Sequence, residues 1–151
     1  MTTGFRTFDA TLQKTKEWMY EVNKELGWGG EPQAYHCLRA VLHTLRDRIP
    51  VEEAVQLGDQ LPLLLKGIYY EGWKPRSVPL KLHQEDFYAL VAQRLAEGSK
   101  EIDPEEATAA VLRVLSRHVS AGEIDDVKAT LPKDIVALWP RGADAGFDVA
   151  A

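Results

Sequence analysis

Hydrophobic residues recur every three or four positions along most of the chain, which is the spacing of one face of an α-helix. The first such run covers residues 8–26. Gly27 follows it directly and is suited to end a helix, because glycine tolerates the left-handed backbone conformation. The face predicted to be buried in this first helix consists of Phe8, Leu12, Thr15, Met19, Val22 and Leu26.

Three further helices are predicted in the first half of the chain, each beginning near a proline. Proline is tolerated at the start of a helix because its missing N–H would have no partner there. Pro32 begins the second helix, Pro50 the third and Pro62 the fourth. The fourth helix has a predicted core stripe of Leu65, Ile68 and Tyr69. No segment alternates with a period of two over the length of a strand, so the pattern predicts an all-α fold.

The second half of the chain repeats the first. Residues 40–69 align without gaps with residues 110–139, at an offset of 70 positions. Asp103 and Ser120 stand where side chains cap the starts of two helices of the second copy. The sequence therefore predicts a helical bundle built from two tandem repeats of about four helices each.

The predicted domain organisation follows from this alignment. One domain covers residues 1–151, with repeat 1 at 8–73, a linker at 74–86, repeat 2 at 87–140 and a flexible tail at 141–151.

Three stretches carry a family resemblance: FDATLQKTKEW, AVLHTLRDRIPVEEAVQLGDQLPLLLKGIYYEGW and AVLRVLSRHVSAGEIDDVKATLPKDIVALWP. Together they resemble the bacterial and archaeal family known as domain of unknown function 2267, over about residues 8–140. The resemblance implies a helical, duplicated cytoplasmic domain. It brings no activity and no catalytic residues to this chain.

Composition narrows the class of protein. The chain has 151 residues, a net charge of −5 and 45% hydrophobic residues, which is typical of an ordinary globular domain. Cys37 is the single cysteine, so no disulfide forms within one chain and a reducing cytoplasm is expected. The N-terminal residues have no long apolar run, and no window reaches the length of a membrane span. We expect a cytoplasmic protein with neither a membrane nor a nucleic-acid partner.

Residues that often carry chemistry do not form a known motif. His36 and His43 are two helical turns apart, so they are expected to be surface or capping histidines without a metal. Cys37 is expected to be a buried structural thiol. Acidic pairs at 52–53 and 125–126 are expected to favour the N-terminal dipoles of their helices. No metal, cofactor or catalytic residue is predicted.

The second helix carries Arg39, His43 and Arg46 on one face. A helix-turn-helix interpretation places acidic residues of the third helix where DNA bases should be contacted, which argues against it. The pattern therefore favours a solvated face with local ion pairs.

The fourth helix is apolar on more than one side. Leu63, Gly67 and Tyr70 form a second face beside the core stripe, with Trp73 just beyond it and Leu64 between the two faces. Gly67 is expected to let a neighbouring backbone approach closely. Such a helix is either central, between the two repeats, or covered by a second copy of the chain or another protein.

Two function classes remain. We expect a non-enzymatic protein-interaction or self-association module that uses Leu63, Gly67, Tyr70 and Trp73 as a binding face. The alternative is a small-molecule-binding or enzymatic domain with a site in the cleft between the repeats. The aromatic and polar side chains expected to gather in that cleft are Tyr35, His36, Tyr69, Tyr70 and Trp73.

Overall fold

A computed structural model describes residues 2–27, 31–96 and 102–141, with the side chains of residues 31 and 32 left out. Within these ranges the chain is all-α, a bundle of helices without strands, as predicted. The helices are α1 (Arg6–Glu25), α2 (Glu31–Arg48), α3 (Val51–Gly58), α4 (Leu63–Tyr70), α5 (Gln84–Leu95), α6 (Pro104–His118), α7 (Ala121–Ala129) and α8 (Lys133–Val136). None of these helices combines the length and the apolarity that a membrane span requires.

The predicted helix boundaries have the expected chemistry. Gly27 has a φ of +80° directly after α1, where a left-handed residue ends the helix. The Asp103 carboxylate accepts a hydrogen bond from the Glu105 backbone N–H at 3.1 Å and caps α6. The Ser120 hydroxyl accepts from the Glu123 backbone N–H at 3.2 Å and caps α7. Side chains therefore satisfy N–H groups that have no partner inside these helices.

The predicted core stripes are confirmed in part. Leu65 and Tyr69 in α4 are fully buried, and Ile135, Leu138 and Trp139 are buried around α8. Phe8, predicted to be buried, is 51% exposed, and Leu12, Met19, Leu26 and Ile68 are only half-buried.

The central helix is α2, whereas a central position for α4 was one of the two alternatives that the sequence left open. Residues 40–47 of α2 are all buried. The helix packs against α1, α4, α5 and α6, whereas α4 packs against α1, α2 and α3. Because α4 is covered on that side only, Leu63 and Leu64 remain 55% and 41% exposed.

The segment that follows α4 is ordered by backbone contacts. It contains a short 3-10 helix at Pro75–Ser77, and the Leu80 backbone N–H donates to the Asp47 carbonyl at 2.7 Å. Helix α5 begins at Gln84, inside the predicted linker of residues 74–86. The duplication and its domain limits stay predictions. The predicted tail lies outside the described residues, apart from Arg141.

Candidate functional site

An open groove of about 860 Å³ lies between α1, α2 and α4. Leu12 and Met19 form its α1 wall, and Leu64 and Ile68 form its α4 wall. The complete lining is Leu12, Thr15, Lys16, Met19, Tyr20, Asn23, Tyr35, His36, Leu64 and Ile68. Helix periodicity explains the α1 wall, because residues three and four apart share a face. The groove thus presents a mainly apolar surface that also includes polar side chains.

Exposed aromatic side chains extend the apolar surface beyond the groove. Phe5 and Phe8 are 64% and 51% exposed, and their ring centroids are 5.3 Å apart. The Leu64 backbone N–H donates to the Thr11 hydroxyl at 2.8 Å, which ties the start of α4 to α1 next to these rings. Large exposed apolar side chains that lie close together are typical of interaction surfaces.

The four residues predicted to form a binding face separate into two groups. Leu63 and Gly67 are exposed on α4. Tyr70 and Trp73 are half-buried, and their ring centroids are 5.3 Å apart. The Tyr70 hydroxyl donates to the Val55 carbonyl at 3.5 Å, so this ring packs towards α3. A binding role for the four residues stays a prediction.

Within the described part of the chain, the close packing expected at Gly67 does not occur. A Cβ atom added at Gly67 would meet nothing within 4 Å. The close approach occurs at Gly58 in α3, where an added Cβ would lie 2.5 Å from the Tyr70 hydroxyl oxygen. Gly58 therefore makes room for the tyrosines of α4.

The five side chains expected in a cleft also lie in two places. Tyr35 and His36 line the groove, and their rings are in edge contact. Tyr69 is buried and donates its hydroxyl hydrogen bond to the Ala54 carbonyl at 2.7 Å, and its ring contacts Tyr70. The groove lies within residues 8–73, the predicted first repeat, and not between the two repeats.

The basic stripe on α2 binds the end of α4 and does not form a solvated face. The Arg46 guanidinium is buried and donates to the carbonyls of Tyr69 and Glu71 at 2.7 and 2.9 Å. Arg39 pairs with the Glu71 carboxylate at 3.0 Å. Carbonyls in the last turn of a helix lack backbone partners, and cationic side chains stabilise them. The expectation of a solvated face was wrong because these carbonyls approach α2.

His43 belongs to the same arrangement. Its Nε2 lies 2.7 Å from the Ile68 carbonyl, and since a carbonyl only accepts, Nε2 carries the proton. Burial lowers the pKa of His43 to about 4, against the opposing effect of the Ile68 carbonyl. The histidine is therefore neutral near pH 7 and caps α4. Of the two roles expected for it, capping is correct and surface exposure is wrong.

Cys37 is fully buried in α2, as predicted. Burial raises the pKa of its thiol to about 12. Since the thiolate is the reactive form of cysteine, this side chain is inert near neutral pH.

Three carboxylates converge where α3 packs against α7. Glu53, Glu123 and Asp126 each have a carboxylate oxygen within 4.8 Å of the other two. Burial, the nearby Glu53 carboxyl group and the negative charge of Asp126 together raise the pKa of Glu123 to about 8. Asp125 and Asp126 lie in the second turn of α7, so the N-terminal role expected for this pair is wrong, whereas Glu52 and Glu53 do lie in the first turn of α3. Positions 53 and 123 are both glutamate at the offset of 70, and this identity was a signal in the sequence for the pair.

Comparison with known proteins identifies a family and no activity. No curated protein matches the chain at a significant level. The model of the family described as "Uncharacterized conserved protein (DUF2267)" matches residues 15–138. Because that match covers most of the chain, the protein belongs to the DUF2267 family.

Proposed function

We propose that this protein is a non-enzymatic, cytoplasmic self-association module, in which the partner is a second copy of the same chain. The observation that carries this proposal is the apolar surface shared by α1 and α4, where Phe5, Phe8, Leu63 and Leu64 are all exposed. Burial of apolar surface is the main driving force of protein association. The exposure of these four side chains in a single copy is explained if another molecule covers them in the assembled protein.

A second copy suits this surface because a projecting part and a recess lie side by side. Phe5 and Phe8 project at one end of α1, and the groove runs along the remainder of the helix. In a two-fold symmetric dimer the same patch faces itself, so each copy must supply both shapes. The Phe8 ring of one copy would occupy the groove of the other.

The spacing of residues on α1 agrees with such a pairing. Phe8, Leu12 and Lys16 are four residues apart, so they share one face of the helix. Two α1 helices that run in opposite directions and cross at Leu12 place Phe8 opposite Lys16 of the second copy. An ammonium group over an aromatic ring contributes about 0.5 to 1 kcal/mol at exposed sites. The same pairing places Phe5 opposite Met19 of the second copy.

The chemistry of the described residues supports a binding role over a catalytic one. His43 is hydrogen-bonded to the Ile68 carbonyl, and burial makes the Cys37 thiol inert near neutral pH. The basic side chains of α2 bind α4, and the net charge of −5 gives nucleic acid no general attraction. We therefore infer no nucleic-acid partner.

Sedimentation velocity over a range of concentrations tests self-association. The wild type is expected to approach twice its chain mass of 16.9 kDa. Leu64→Lys and Phe8→Lys, both at exposed positions, are expected to weaken the dimer at least tenfold, or about 1.4 kcal/mol. Val55→Lys is the control, because Val55 is 39% exposed on α3, away from the groove. A wild type that stays monomeric, or a control that disrupts the dimer equally, would contradict the proposal.

A second candidate function is the binding of a small apolar molecule in the same groove. It is favoured by Thr15, which lines the groove and has a buried hydroxyl without a hydrogen-bond partner. A ligand that hydrogen bonds to this hydroxyl and contacts Tyr35 would satisfy it. The test is a thermal-shift screen of metabolites on the wild type and Thr15→Val. A stabilisation that depends on concentration and is lost in Thr15→Val would favour the ligand over self-association.

A further inference from the structure

The carboxylate cluster of Glu53, Glu123 and Asp126 brings together two helices that are far apart in the sequence. Glu53 lies in the first turn of α3, and Glu123 occupies the matching position of α7 in the aligned second half. Asp126 follows one turn later on α7, so it shares a face with Glu123. All three offer an oxygen within 4.8 Å of the others, which brings like charges together.

Independent of this clustering, Glu123 is a polar side chain left without a partner in a buried place. Its residue is only 6% exposed, and its Oε2 atom forms no hydrogen bond. The Oε2 atom of Glu53 is also buried without a partner. Buried polar atoms are nearly always satisfied in folded proteins, so two unsatisfied carboxylate oxygens at one place point to a missing ligand. A bound metal cation would satisfy these oxygens, because buried charged groups are paired or coordinate a metal.

We propose that Glu53, Glu123 and Asp126 bind one divalent cation that prefers oxygen ligands and that this ion joins α3 to α7. Such ions hold oxygen ligands at about 2.0 to 2.6 Å, so two ligands of one ion lie no more than about 5 Å apart. The observed spacing within 4.8 Å agrees with this limit. Glu123 and Glu53 supply the buried side of the site. Asp126 is exposed, which leaves the outer side open to the ion and to coordinated water.

This site does not depend on self-association, because the groove between α1, α2 and α4 has no lining residue in common with it. The two proposals can therefore fail separately.

Thermal unfolding and titration calorimetry of the full chain test the site with Mg²⁺, Ca²⁺ and Mn²⁺ as probes. NaCl of matched ionic strength controls for screening of charge. At least one of the three ions is expected to raise the unfolding temperature with saturation and to bind with one ion per chain. Asp126→Asn, at an exposed position that tolerates change, is expected to weaken this binding at least tenfold. Glu123→Gln is expected to abolish it.

Glu52→Gln is the matched control, because Glu52 is an exposed neighbour of Glu53 in α3 outside the cluster. Its ion binding is expected to equal that of the wild type. The proposal is overturned if none of the three ions gives a saturable shift, or if Asp126→Asn and Glu52→Gln bind the ion as the wild type does. In the first case the two buried glutamates are satisfied by a shared proton.

Discussion

The Arg46 guanidinium donates to the Tyr69 carbonyl at 2.7 Å and thereby holds the end of α4 against the last turn of α2. Arg46 also pairs with Asp47 at 2.8 Å, and Asp47 pairs with Arg94 of α5 at 2.8 Å. One buried network therefore connects α2 to both α4 and α5.

Arg46→Met is expected to destabilise the protein by about 2 to 4 kcal/mol, because removing one partner of a buried charge network leaves the others unsatisfied. Asp47 keeps its ion pair with Arg94, which limits the loss of stability. Arg39→Met is the matched control, since the Arg39–Glu71 pair is largely exposed and such pairs contribute about 0 to 1 kcal/mol. Urea unfolding followed by tryptophan fluorescence measures the free energy of unfolding of both variants. Equal losses in the two variants would show that the burial of Arg46 has no special role.

Gly58→Ala is expected to destabilise the protein by about 1 to 3 kcal/mol, as overpacking does in a tight interior. The added Cβ would lie 2.5 Å from the Tyr70 hydroxyl oxygen and 3.0 Å from Cε2 of Tyr69. Gly67→Ala is expected to stabilise the protein, because its added Cβ meets nothing within 4 Å and alanine favours a helix by about 1 kcal/mol over glycine. Thermal and urea unfolding measure whether each variant is less or more stable than the wild type. A stabilised Gly58→Ala variant would refute the close packing of α3 on α4.

Stability near His43 is expected to depend on pH. Burial lowers the pKa of His43 from 6.5 to about 4, so the unfolded chain binds a proton more readily than the folded one between these values. The contribution of neutral His43 is therefore complete above pH 6.5 and is lost as the pH falls towards 4. His43→Gln keeps a side-chain N–H for the Ile68 carbonyl but does not titrate. The free energy of unfolding of the wild type should fall more steeply than that of His43→Gln from pH 7 to 4.5. Parallel curves would be inconsistent with a buried neutral histidine.

The helices and the main core stripes were predictable because hydrophobic spacing records which face of a helix is buried. The burial of Arg46 and His43 was not predictable from the sequence, because it depends on carbonyls of α4 that approach α2 only in the folded chain. The groove likewise depends on how three helices are placed. The identity of Glu53 and Glu123 was visible in the sequence, but their contact requires the packing of α3 on α7.

A disulfide across the proposed dimer axis tests self-association through α1 most directly. Helices packed about 8 to 10 Å apart bring inward-facing Cα atoms to within roughly 4 to 6 Å, which a disulfide spans. Leu12→Cys lies at the crossing point, and the fully buried Cys37 does not compete for oxidation. Lys14→Cys, exposed on another side of α1, is the control. Mild oxidation is predicted to give a covalent dimer of Leu12→Cys and to leave Lys14→Cys monomeric. Equal crosslinking of the two variants, or none in either, would contradict the proposed pairing.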